Sequence, residues 1–303
     1  MRSRVLSVGS MVCTLLFAAP AVSGGQPLPP EVKAVVDGFK GQLYFAAKNL
    51  ETGQTIGYRA DDKVQTASVI KLPILVEVFA QAKANKIALE DVVALTDSNR
   101  VSGSGVLQNL GLGLHMTVRD AAVLMIILSD NTATNILIDK VGIKPVNDRM
   151  RSLGLTETTL YKKVSKPATD PLTEEQKKWG LGVTTAGEMM ALLEKIYRKE
   201  VVDAASCDEM IAIMKQQKDR DQMPRLLVGP GWEKVEIANK TGALSQVRND
   251  VGIVFTPDGD YILSLFAQDS QDRKWTADNE ATVALGKLSL ALLNHLRART
   301  PTR

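Results

Sequence analysis

Strand-forming runs are confined to the two ends of this chain, and that distribution constrains its fold more than any other feature. Gly41 to Asn49 alternates through Leu43, Phe45 and Ala47, the period of two expected of a half-buried strand. Glu51-Thr52-Gly53 makes a turn, and Thr55 to Arg59 can pair back as a hairpin. Apart from a short extended piece at 92–96, no comparable run follows until 235–240, 247–255 and 261–267. The last two are joined by the turn Pro257-Asp258-Gly259-Asp260. Helical spacing fills the interval, at 68–85, 116–141, 184–199 and 205–217, and brackets the chain at 30–40 and 279–299. Strands parted in this way must join into one antiparallel sheet. The predicted class is α+β, an α/β sandwich whose antiparallel sheet is flanked by the terminal helices and interrupted by an all-helical insert. The α/β part takes 24–62 and 218–303, and the helical part 63–217. Residues 116–141 read as one helix with Thr117-x-x-Asp120 as its capping box. It is apolar on nearly every face from Ala121 to Leu128, which predicts a central, buried helix. The least regular stretch, 162–182, is too long for an ordinary connection and points to a functional loop.

The chain begins with Arg2 and Arg4, an apolar run from Val5 to Ala18, and the small residues 19–25. This is the pattern of a secretory signal peptide, 1–23, with Ala21-x-Ser23 as the cleavage box. A membrane span needs about 20 predominantly apolar residues, and this run is broken by Ser7, Gly9 and Ser10. Cys13 would leave with the signal, and Cys207 alone forms no internal disulfide. The formal charge of +3 would fall to +1 with Arg2 and Arg4 removed. So balanced a chain, with 37 Lys+Arg against 34 Asp+Glu, lacks the basic face that nucleic-acid binding requires. Two histidines, His115 and His295, and two cysteines fit no zinc spacing, so no metal and no cofactor is expected. The expectation is an exported, periplasmic or secreted monomer that takes a small-molecule substrate without stable membrane insertion.

Three short motifs carry chemistry. Ser68-Val-Ile-Lys71 opens a helix, so its serine and lysine lie one turn apart on one face. A serine hydroxyl is a poor nucleophile until a neighbouring base takes its proton, and a lysine of lowered pKa can be that base. Taken singly, the motif reads equally as a helix cap and a solvated lysine. Ser129-Asp130-Asn131 falls within the apolar helix, where each polar group must be hydrogen-bonded. It reads either as a satisfied core cluster or as a proton relay beside a substrate-binding amide. Lys240-Thr241-Gly242 ends a strand. There a cation and a hydroxyl can take a substrate carboxylate while Gly242 permits close approach, or the triplet is a plain strand edge.

In this order, about 60 and then 110 residues apart, the three triplets resemble the signature set of class A β-lactamases and penicillin-binding proteins. Ser102-Gly-Ser-Gly-Val-Leu107 resembles the rim loop of that family's active site, and Thr184-Thr185 the end of its omega loop. The resemblance implies a β-lactamase/transpeptidase-like fold, with Ser68 as the acylated nucleophile, Lys71 as its base and Ser129 as the proton relay. Asn131 becomes a substrate contact, Lys240, Thr241 and Gly242 part of the carboxylate site, and the N–H groups of Ser68 and Ala243 the oxyanion hole. Arg248 stands as a second cation for the carboxylate or as a structural strand-end residue.

One departure from the pattern stands out. The family's omega loop carries a glutamate that positions the deacylating water. Aligning on Pro167 puts Lys166 there, and a shift by one or two residues offers Ser165 or Val164, none of them a carboxylate. Glu174 and Glu175 follow further along and could fold back. The resemblance therefore implies an enzyme that is acylated by β-lactams and deacylates slowly. A penicillin-binding D-Ala-D-Ala peptidase and a non-turnover sensor acylated once are the alternatives.

Overall fold

The computed structural model describes residues 27–297, so the expected signal peptide and Cys13 lie outside the described residues. Pro30 starts α1 (Pro30–Gly38), a position that tolerates its missing N–H. The alternating run becomes β1 (Gln42–Asn49), and β2 (Thr55–Tyr58) folds back on it across the turn at Gly53. A two-residue strand β3 (Val64–Gln65) and a 3₁₀ turn at Ala67–Ile70 lead into α2 (Lys71–Lys83). Then come β4 (Val92–Ala94), β5 (His115–Thr117), α3 (Val118–Ile127), α4 (Asn131–Val141), α5 (Ile143–Ser152) and β6 (Thr159–Leu160). The long loop follows, with α6 (Glu174–Lys178) in it, then β7 (Gly182–Thr184), α7 (Ala186–Tyr197) and α8 (Ala204–Lys215). The chain returns to the sheet through β8 (Glu236–Leu244), β9 (Val247–Thr256) and β10 (Gly259–Gln268), and α9 (Glu280–Arg297) runs to the end of the described residues.

The two groups of strands do join. The five-stranded antiparallel sheet has the order β2-β1-β10-β9-β8, with β1 paired along its whole length to β10, from Gln42↔Gln268 to Asn49↔Tyr261. Leu43, Phe45 and Ala47 face a core shared with Val32 of α1 and with Leu285, Leu288 and Leu292 of α9. Tyr44 and Ala46, pointing the other way, enter a second core with α2, α3, α4, α7 and α8. The sheet is thus covered on both faces, so β1 is buried at every position after Gln42.

Three expectations are corrected. The 116–141 stretch is two helices, because Ser129 adopts a left-handed backbone (φ 53°) and Asp130 restarts the helix by capping it through Ala133 N. The central helix is α2, in which every residue from Lys71 to Gln81 is buried, whereas Val123, Leu124 and Ile127 of α3 are partly exposed. The insert is not wholly helical either, since it carries the sheet β3-β7-β6 and the pair β4-β5. The capping box at the start of α3 is present as read, with Thr117 and Asp120 each receiving the other's backbone N–H. Thr117→Ala should cost about 1 kcal/mol and lower the melting temperature by about 2–4 °C in a thermal unfolding scan.

Candidate active site

Ser68 sits on the 3₁₀ turn immediately before α2, and the turn is held in place from three sides. Ala67 takes a left-handed conformation (φ 44°), which costs of order 1–3 kcal/mol and persists only where neighbours enforce it. Asn249 of β9 donates to the carbonyls of Gln65 (2.9 Å) and Thr66 (3.1 Å), and Gln268 of β10 donates to Asn249 Oδ1 (3.0 Å). Thr66 itself is tied to the Gly182 carbonyl through both N and Oγ1. Strand β8 lies against the same turn so closely that a Cβ on Gly242 would stand 2.9 Å from Thr66 O and 3.1 Å from Ser68 N. Gly242 is therefore required for the close approach that brings Ala243 beside Ser68.

The half-buried Ser68 opens on a cleft of about 280 Å³, also lined by Ser104, Ser129, Asp219, Thr241 and Ala243. Behind it Lys71 is fully buried. Its Nζ donates to Ser129 O (2.7 Å) and Asn131 Oδ1 (2.9 Å), and lies 3.1 Å from Ser129 Oγ. Burial and then the neighbouring Lys240 hold the Lys71 amine well below its ordinary value, with Asp130 opposing. A neutral amine has two N–H groups and one lone pair. The two carbonyl oxygens take the N–H groups, which leaves the lone pair for a hydroxyl proton. Lys240, also fully buried, donates to Ser129 Oγ (3.0 Å) and to Thr241 O (2.6 Å). Burial lowers it to about 8, with Asp219 and Asp250 holding it up.

Asp130 acts by its carboxylate. Oδ2 accepts from Val106 N (2.7 Å) and Leu107 N (2.9 Å), which pins the 102–107 loop over the cleft, while Oδ1 accepts from Ala133 N (2.9 Å). Gly105 passes so near that a Cβ would stand 2.2 Å from the Asp130 carboxylate. Asn131 N and Nδ2 reach the carbonyls of Ser104 and Ser102.

The structure brings Ser68, Lys71, Ser129, Asn131, Lys240, Thr241, Gly242 and Ala243 together around one cleft. Arg248 is not available to it as a free cation. The residue is 5% exposed, and its guanidinium donates to the carbonyls of Leu244 (2.5 Å), Val247 (2.8 Å) and Lys274 (2.7 Å), against the Trp275 ring. Glu174 and Glu175 do not fold back. Their side chains are 88% and 66% exposed, and they pair with Lys177 and Lys178 along α6.

The long loop is fixed by a residue that sequence reading passed over. One turn after Asn131 on α4, Asn135 donates to Val164 O (3.1 Å) and accepts from Val164 N (2.8 Å). A turn further, Asp139 pairs with Lys163 (2.8 Å). Asn131, Asn135 and Asp139 form one stripe at i, i+4, i+8, and the loop residue that Asn135 holds by both backbone groups is Val164. The alignment that put Lys166 in that place is thereby shifted by two residues. The signal was the i+4 spacing from Asn131.

A serine, a buried amine of lowered basicity, a second hydroxyl between two lysines and a cation beside a strand edge define an active-site-serine hydrolase. The chain belongs to the beta-lactamase enzyme family, whose profile matches residues 27–296. Beta-lactamase L2 of Stenotrophomonas maltophilia is 28% identical over 237 residues, covering 76% of this chain and 74% of that protein. A beta-lactamase structure from Sphaerobacter thermophilus DSM 20745 superposes with a TM-score of 0.77 at 29% identity, over 89% of this chain and 97% of that one. A PBP-A variant, solved as an acyl-enzyme complex with penicillin G, is alike in fold, with a TM-score of 0.73 at 24% identity over 88% of this chain and 100% of that one.

The charge on Lys240 yields a test. A lysine is cationic below its pKa, so recognition of a substrate carboxylate should weaken as pH rises through about 8. KM for a β-lactam carboxylate should climb across that range, while its methyl ester shows no such rise. An identical pH response in acid and ester would remove Lys240 from carboxylate binding.

Proposed function

We propose that this chain is an exported acyl-enzyme-forming hydrolase that opens β-lactam rings on Ser68 and releases the product slowly. Lys71 takes the proton of Ser68, whose Oγ attacks the β-lactam carbonyl carbon. The N–H groups of Ser68 and Ala243 receive the developing oxyanion. As the ring C–N bond breaks, the Ser129 hydroxyl, placed between Lys71 and Lys240, passes a proton to the leaving nitrogen. Lys240 and Thr241 receive the substrate carboxylate and Asn131 a substrate amide. Export rests on the pattern of residues 1–23.

Slow release rests on one observation. The loop residue that Asn135 fixes, one turn along α4 from Asn131, is Val164, which has no carboxylate to activate water. A positioned base of this kind is worth about 10²–10⁴ in rate. A second reading follows from the same absence. A D-Ala-D-Ala peptidase uses the same acylation set on a peptide ending in a carboxylate, and the fold is shared with PBP-A, a variant of which was solved as an acyl-enzyme with penicillin G.

Intact-protein mass spectrometry with benzylpenicillin tests the proposal. A long-lived adduct is expected in the native chain and none in Ser68→Ala. Val164→Glu should form the same adduct and lose it about 10²–10⁴ times faster. Rapid return of the native chain to its free mass would overturn slow release. No adduct at all would overturn acylation by β-lactams.

A further inference from the structure

Asp250 of β9 stands opposite Thr241 in the sheet, fully buried behind the Lys240 edge of the cleft. Its two oxygens serve different walls. Oδ1 accepts from Asn239 Nδ2 (2.8 Å), on the strand residue before Lys240, and Oδ2 accepts from Met223 N (3.0 Å), at the end of the segment whose Gln217, Lys218 and Asp219 line the cleft. Among the described residues no lysine or arginine forms an ion pair with this carboxylate, and Asn239 Oδ1, also buried, has no hydrogen-bond partner. An orphan acceptor beside a buried carboxyl fits a group that takes up a proton. Protonated Asp250 could donate to Asn239 once that amide turns over.

We propose that Asp250 is a positioning residue: its carboxyl ties the 217–223 wall to the Asn239–Thr241 edge, and its negative charge keeps Lys240 cationic on the alkaline side of neutrality. This rests on the reading that Lys240 receives the substrate carboxylate. Burial raises Asp250 to about 7, close beneath the Lys240 value of about 8, so between the two both are charged. The groups facing Lys240 are Asp250 from β9, Asp219 from the 217–223 segment, Lys71 from α2 and Ser129 from the α3–α4 turn. Those facing Asp250 are Asn239 and Lys240 from β8, Asp219, and the Met223 N–H. As pH falls through about 7 Asp250 loses its charge, and of the two carboxylates only Asp219 then supports the Lys240 proton. Above that pH, Asp250 acts.

Asp250→Asn removes the charge, and its amide can still accept from Met223 and donate to Asn239. NMR of lysine-labelled protein, with the signal assigned by its loss in Lys240→Arg, reads the Lys240 amine without reference to turnover. Its midpoint should fall by about half a unit or more in D250N. The alkaline limb of benzylpenicillin acylation should move down by the same interval and through KM, with the rate at pH 6 within about twofold of the native chain. An unmoved Lys240 midpoint, or a rate lowered equally at every pH, would overturn the inference. A moved midpoint in a protein that penicillin never acylates would uphold Asp250 and reject the Ser68 reading. If D250N does not fold, Asp250→Ser takes its place in the same assays.

Discussion

Two lysines with no exposed surface converge on a single hydroxyl, that of Ser129, and much of the molecule around them exists to make that arrangement tolerable. Two buried ammonium groups so placed would repel each other and lose their hydration, a cost the protein meets by shifting the proton balance rather than by separating them. Lys71 has two carbonyl oxygens and its charge is disfavoured by burial and by Lys240. Lys240 has carboxylates behind it. On the proposed reading, the asymmetry suits one amine to acid–base chemistry and the other to carboxylate recognition.

The hydroxyls of Ser68 and Ser129 both stand at irregular backbone. Ser129 itself, and Ala67 just before Ser68, take left-handed conformations. Such strain is held by groups that do no chemistry: Asn249, Gln268 and Thr66 around the nucleophile turn, and Asp130 around the break between α3 and α4. The motif Ser-Asp-Asn thus divides its labour. Its first and third residues meet Lys71, while the middle one builds the loop that covers them.

How much of this was legible depended on whether an element obeyed a single periodicity. The strands at both ends, the terminal helices and the capping box of α3 did, and were read within a few residues. The helix break was not readable, because 116–141 keeps helical spacing straight through Ser129 and only a backbone angle interrupts it. Helix α2 escaped recognition as the central helix because Lys71, Glu77 and Gln81 disguise its burial. Each is satisfied inside, Glu77 by Gln81 (2.8 Å) and Arg149 (3.1 Å). Asn249 and Asp250 broke the pattern openly. With Arg248 they are three consecutive polar residues in an otherwise apolar strand, all buried, and that mismatch was the available signal.

The sheet order carries a consequence for how the molecule comes into being. β1 lies between β2 and β10, and its full-length partner is made about 220 residues after it, so the β1–β2 hairpin waits on the far end of the chain for its place in the sheet. Ser68 and Lys71 precede the insert, whereas Lys240, the Asn249 clamp and Gln268 follow it. A chain ending before β8 therefore holds Ser68 in a turn that keeps its tie to the Gly182 carbonyl but lacks those to Asn249 and Gln268, and Lys240 meets Ser129 only with the last three strands. The proposed set is thus complete only in a chain that has reached β10.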